Sequence, residues 1–182
     1  SLNRYFTKEF FQLIRMRIKP EGIFSFFMPS KREILSPQFA RFNSSIINAV
    51  DRAFTNRILV PSDSMVIIAS VGQGITDSVL LNNFTRAEIS TDFFTYYHFK
   101  DFLNPSMRRY TESMLDKNIE PNTYLNPTGF LNYLALEQIK FYPGLKIDFT
   151  KLKRNIILLL IFMALAIALV HIFSKKTSCI LN

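Results

Sequence analysis

The sequence predicts a mainly α fold: a small helical extramembrane domain followed by a single C-terminal transmembrane helix. Three observations carry that expectation. Ile156 to Phe173 is an unbroken apolar run, IILLLIFMALAIALVHIF. Helix starts of the cap-then-proline kind recur at Ser36-Pro37, Asn104-Pro105 and Asn126-Pro127. Apolar residues also return at helical spacing through residues 1–19 and 36–57. The expected organisation is a basic amphipathic helix over residues 1–20, a mostly helical domain over 21–150, the membrane helix over 151–174 and a short polar tail over 175–182.

The apolar run sets the compartment. At about 1.5 Å per residue it would span roughly 27 Å, near the hydrocarbon thickness of a bilayer. It holds no Asp, Glu, Lys or Arg and no helix breaker. Lys151, Lys153 and Arg154 precede it, and Lys175 and Lys176 follow it, placed to snorkel to headgroups. Ala164 and Ala168 stand four apart, a spacing of small residues that lets a second helix approach closely.

At the other end, SLNRYFTKEFFQLIRMRIK reads as one basic amphipathic helix, stopped by Pro20 and Gly22. Leu2, Tyr5, Phe6, Phe10, Leu13, Ile14 and Met16 would share a broad apolar face, with Phe11 near the polar edge. Arg4, Lys8, Arg15 and Lys19 would gather opposite, as the cations of a helix lying on anionic lipid. The same arginine-rich, acid-poor character resembles a mitochondrial targeting segment.

Between these ends, Ile23 to Met28 is a short Phe-rich patch expected to pack against a neighbour or dip into an interface. Ser36-Pro37 opens a helix expected to run to about Arg57, with Phe39, Phe42, Ile46, Ala49, Val50 and Ala53 inward. Met65 to Val71, short, apolar and β-branched, suggests a buried strand, with a helical turn as the alternative. The Gly72-Gln73-Gly74 that follows lacks the third glycine and the lysine of phosphate-binding loops, and is expected to be a plain turn. Helices are expected at 75–89, 91–103, 105–118 and 127–141. In the third of these, Arg108 and Arg109 are helix neighbours of Glu112 one turn on, and a solvated charged face is expected.

The net charge of +8 is uneven. Residues 1–57 carry ten Lys/Arg against four Asp/Glu, residues 58–145 carry six against nine, and residues 146–182 carry six against one. Cations clustered at both ends of the chain favour an anionic lipid surface over a nucleic-acid groove. One cysteine, Cys179, leaves no internal disulfide. His98 has only Asp101 at ligand spacing, which is too thin a set for zinc. No nucleophile stands in a recognisable frame.

The expectation is therefore a non-catalytic accessory subunit that scaffolds or assembles a larger membrane complex. A respiratory-chain or ATP synthase assembly of the mitochondrial inner membrane is its expected home. Expected partners are other membrane-protein subunits and anionic lipids, with cardiolipin as a structural lipid. No cofactor, metal, nucleic acid or small-molecule substrate is expected. The alternative is a tail-anchored adaptor or receptor of an outer organelle membrane, and a third reading is a membrane-bound enzyme with its site around His98.

Overall fold

A computed structural model describes residues 2–31, 35–72, 74–89, 91–141, 155, 157, 158 and 160–165. The expectation of a mainly α fold closing on a transmembrane helix is overturned. The chain is α/β, built on a three-stranded antiparallel sheet, and among the described residues no helix is long and apolar enough to cross a membrane. Within the apolar C-terminal run, the described helical residues fall between 155 and 165.

The chain divides into two compact units, Ser1–Glu137 and Gln138–Asn182. In the first, a 3-10 turn (Leu2–Phe6) leads to α1 (Lys8–Arg17), β1 (Ile23–Pro29) and α2 (Pro37–Asp51). Strands β2 (Asn56–Val60) and β3 (Ser64–Ser70) follow, then α3 (Asp77–Arg86), α4 (Tyr96–Phe102), α5 (Pro105–Met114) and α6 (Thr128–Phe141). The unit boundary falls inside α6. In the second unit, Ile157, Leu158, Leu160, Ile161, Phe162, Met163 and Leu165 are all exposed.

Strand order is β1-β3-β2, with Phe26 opposite Ile67 and Leu59 opposite Ile67 from the other side. Alternation along the strands sends residues to two faces. One face carries Phe24, Phe26 and Met28 of β1, Met65, Ile67 and Ala69 of β3, and Leu59 of β2. These join Phe11 of α1 and Phe42, Ile46, Ile47 and Val50 of α2 in the main core. The other face carries Ile58, Val60, Val66 and Ile68, covered by Leu80, Leu81, Phe99 and Leu103. The sheet thus lies between two helical layers.

Local chemistry explains where elements begin. Ser36 Oγ accepts the Phe39 N–H (3.3 Å) and Pro37 fills the first turn, so α2 starts where the sequence places it. Asn104 Oδ1 accepts the Ser106 N–H (2.9 Å) ahead of Pro105. At the N-terminus the single expected helix is broken. Thr7 is fully buried, and its Oγ1 accepts the Phe10 N–H (3.2 Å) as an N-cap, so α1 starts afresh at Lys8. The restart rotates the buried face: Phe11 is wholly buried, whereas Leu13 and Met16 are exposed.

Helix α2 ends at Asp51 rather than near Arg57, because the chain turns there to pair β2 with β3. It is buried on nearly every side, polar residues included. Ser44 Oγ donates to Ala40 O (2.7 Å) and accepts the Asp116 N–H (2.9 Å), while Asn43 Nδ2 donates to Ser30 Oγ (3.1 Å). The turn after β3 needs Gly72, since a Cβ there would stand 2.6 Å from Pro20 O.

In place of a solvated face, Arg108 and Glu112 take tertiary partners. Arg108 Nη2 lies 2.8 Å from Asp77 Oδ1 of α3. Glu112 instead bonds Arg57 of β2, whose Nε also lies 2.6 Å from Asp51 Oδ1 at the end of α2. Burial lowers the Arg57 pKa, but the hydrogen bonds it donates to Glu112 and Asp51 outweigh that and hold the guanidinium above its ordinary value. A raised folded-state value means stabilisation present below the unfolded pKa and lost only as pH climbs past the folded one. Arg57→Met is expected to lower the unfolding free energy by about 1–3 kcal/mol, less than a fully buried pair because both carboxylates reach solvent. Urea unfolding of the two proteins should show the same deficit in neutral and alkaline buffer; a deficit that vanishes at mildly alkaline pH would contradict this account.

Candidate interaction surface

Two strands of a three-stranded sheet are edges, and here the two differ. On β2, the Arg108 Nε donates to Leu59 O (3.1 Å), and the same guanidinium reaches Leu103 O and Asp77. A side chain from α5 therefore occupies backbone capacity along that edge. On β1, no group outside the sheet hydrogen-bonds Ile23 to Met28 among the described residues. The strand reads IFSFFMP, with no charge and with its only proline at the end. Natural edges are usually blunted by lysine, an inward charge, a bulge or an internal proline.

The face of β1 turned from the main core is also bare. The second helical layer covers β2 and β3, but Ile23 is 53% and Phe27 68% exposed. Beside Phe27 and Pro29 lies an apolar cavity of about 290 Å³, walled by Phe6, Phe42, Ile46, Phe130 and Tyr133 together with Asn122 and Gly129. Asn122 is fully buried in the loop before α6. Its Nδ2 donates to Phe6 O (2.9 Å) and its Oδ1 accepts the Gly129 N–H (3.0 Å), which fixes two walls of the cavity.

The cations singled out in the sequence fall partly around this surface. Arg4, Arg15 and Lys19 are exposed and Lys8 is half-buried; among the described residues none of the four forms an ion pair. Helix α1 lies on β1 through ring contacts of Phe10 with Phe24 (6.4 Å) and of Phe11 with Phe26 (5.3 Å). The apolar side expected to enter lipid is therefore spent in part on the core. Ala164 is helical and exposed. Lys151, Lys153, Arg154, Ala168, Lys175 and Lys176 lie outside the described residues.

Elsewhere the chemistry is structural. The backbone N–H of Thr95 donates to His98 Nδ1 (3.2 Å), so that ring nitrogen helps cap α4, and Phe94 stacks on the imidazole at 6.1 Å. Among the described residues no three His, Cys, Asp or Glu side chains stand close enough to hold a metal ion. An open hollow of about 450 Å³ lined by Phe84, Glu88, Ile89 and Phe94 carries a single acid, Glu88, at φ 48°. Asn43, which opens an Asn43-Ser44-Ser45 triplet of the glycosylation type, is fully buried and unavailable as an acceptor.

Sequence reasoning marked residues 23–28 as a contact patch but not as a strand. Apolar residues at both parities hid the alternation. The signal that would have found it is the enrichment of Phe and Ile between Gly22 and Pro29. Asn122 carried no signal, since a loop asparagine is unremarkable until its partners are known. Comparison with protein-family models and with curated protein sequences finds no match to this chain.

Proposed function

We propose that this chain is a non-catalytic accessory subunit, a scaffold within a larger assembly, and that β1 is its contact strand. The observation that carries this reading is the uncharged open edge of β1 beside an apolar cavity. An edge of that kind left in water invites aggregation, so a neighbour that covers it is the economical explanation. Other large apolar side chains stand out from the first unit, including Phe93 at 90% and Leu125 at 94% exposure. The basic balance of +8 and the exposed apolar residues between 157 and 165 favour an assembly at a membrane. The mitochondrial inner membrane is the proposed compartment.

Gentle detergent extraction of source-cell membranes, followed by a native gel blotted for this chain, tests the reading. The chain should migrate in a band far above its own 21.2 kDa and co-migrate with the same partner peptides in independent preparations. Recovery only as a monomer would refute it.

A further inference from the structure

Resting on the interaction reading above, we propose that the outer edge of β1 takes an extended, acidic segment of a partner protein as a fourth strand. One apolar side chain of that segment would seat in the cavity beside Phe27.

Backbone geometry comes first. In an antiparallel pair, alternate residues turn their N–H and C=O away from the partner strand. Strand β1 pairs with β3 without interruption, from Ile23 opposite Ser70 to Pro29 opposite Ser64. Its outward N–H and C=O groups, Pro29 lacking the N–H, form a row that an incoming strand can meet. Strand addition of this kind draws affinity from main-chain hydrogen bonds and specificity from pockets that receive alternate side chains. The cavity supplies such a pocket at the Phe27–Pro29 end. Walls made by Phe6, Phe42, Phe130 and Tyr133 suit a large aromatic or branched aliphatic side chain.

Charge selects the rest of the partner. Helix α1 is bound to β1 by its phenylalanines, so its charges travel with the open edge. Arg15, Arg17 and Lys19 are exposed ahead of the strand, and Lys31 is exposed after it. Residues 8–31 hold five cations, Lys8, Arg15, Arg17, Lys19 and Lys31, against two acids: Glu21, exposed ahead of the strand, and Glu9, which accepts the Tyr124 N–H (3.2 Å). The surroundings of the edge are therefore positive, and a strand carrying Asp or Glu at its solvent-facing positions gains where a neutral one does not.

The same charges argue against a second copy. Pairing of β1 with itself would set one positive surrounding, with Arg15, Arg17 and Lys19 exposed, against another of the same sign. Like-charge juxtaposition at an interface disfavours that partner.

The test uses the full chain in detergent micelles and a fluorescein-labelled synthetic peptide of about nine residues, a typical long strand. The peptide alternates Glu with Leu and carries one central Phe. Anisotropy should show saturable binding that weakens with added salt. A version with Lys in place of Glu should bind at least tenfold more weakly. Two further versions are N-methylated on one or the other alternate set of amides; one set should abolish binding and the other should leave it, because only one edge of the peptide faces β1. Phe27→Glu adds a negative charge at an exposed position and should raise the Kd at least tenfold with an unchanged circular dichroism spectrum. Phe130→Ala, which opens the cavity wall, should weaken the Phe-bearing peptide more than one with Ala in its place.

Equal binding of both methylated peptides, or of the Lys and Glu versions, would overturn the proposal. So would a dimer seen by light scattering and dispersed by Phe27→Glu, which would give the edge to a second copy. A chain that ignores the peptide yet still runs in a large native assembly would defeat strand addition alone. A chain that binds the peptide yet is monomeric in its native extract would defeat the accessory-subunit reading instead.

Discussion

Phe11→Ala is expected to lower the unfolding free energy by about 3–5 kcal/mol, the range for truncating a fully enclosed aromatic side chain. Phe11 has no exposed surface. Its ring lies 5.3 Å from Phe26, 5.7 Å from Phe10 and 6.2 Å from Phe24 by centroid. Truncation removes the transfer energy of the ring and three aromatic contacts, and it leaves a void between α1 and the sheet. Neighbouring rings cannot collapse into that void, because Phe24 is also stacked on Phe54 at 6.1 Å and Phe26 on Phe24 at 5.4 Å. Met16, 71% exposed on the same helix, supplies the control: Met16→Ala should change stability by no more than about 0.5 kcal/mol. Urea denaturation followed by circular dichroism measures both. A loss below about 1 kcal/mol for Phe11→Ala would mean that α1 does not hold the sheet.

That pair of residues also shows where the sequence could be read. Both lie in one apolar-rich helix, and periodicity over residues 1–19 makes Met16 internal and Phe11 marginal. The structure reverses them because Thr7 restarts the helix, and a single N-cap shifts the phase of everything after it. Caps with a following proline were legible: Ser36 and Asn104 stand where their sequence signature puts them, since that chemistry is local. Strand β3 was legible as well, being a short β-branched run closed by Gly72. Strand β2 was not, because Asn56–Val60 extends an amphipathic pattern that continues past the true end of α2 at Asp51. Only pairing with β3, a tertiary fact, makes it a strand.

Charges followed the same division. Arg108 and Glu112 are ideal helix neighbours, worth a few tenths of a kcal/mol to each other. Each finds a stronger partner from another element, Asp77 and Arg57. The candidate surface combines both kinds of residue. Its cations were visible in the sequence as a basic N-terminal third. Its open strand and cavity were not, because they arise from which face the second helical layer leaves uncovered.

Asn122→Ala is expected to cost about 2–4 kcal/mol, from two buried groups that lose their partners. The Phe6 carbonyl would lose a donor at 2.9 Å and the Gly129 N–H an acceptor at 3.0 Å. The backbone of Asn122 is engaged too: its N–H donates to Ser45 O (2.9 Å) and its carbonyl accepts the Lys8 N–H (2.8 Å). One residue thus ties the N-terminal 3-10 turn, α1, α2 and the start of α6 together. A Cβ placed on Gly129 would stand 3.0 Å from the Asn122 amide carbon, so the glycine is what lets the amide approach this close. Asn122→Asp separates hydrogen bonding from packing. An ionised carboxylate accepts from Gly129 but faces the Phe6 carbonyl with no proton, and burial desolvates it. Protonated, the same carboxyl donates to Phe6 O and accepts from Gly129, reproducing the native pattern. Burial raises the pKa of the new carboxyl in the folded state, so its stabilising contribution is present at acid pH and lost as pH rises through that value. Relative to wild type, Asn122→Asp should therefore be most destabilised at neutral pH and recover in mild acid, while Asn122→Ala stays equally impaired at both. If the two variants track each other across pH, the amide acts only by filling space, and the claim that its hydrogen bonds hold the cavity walls is wrong.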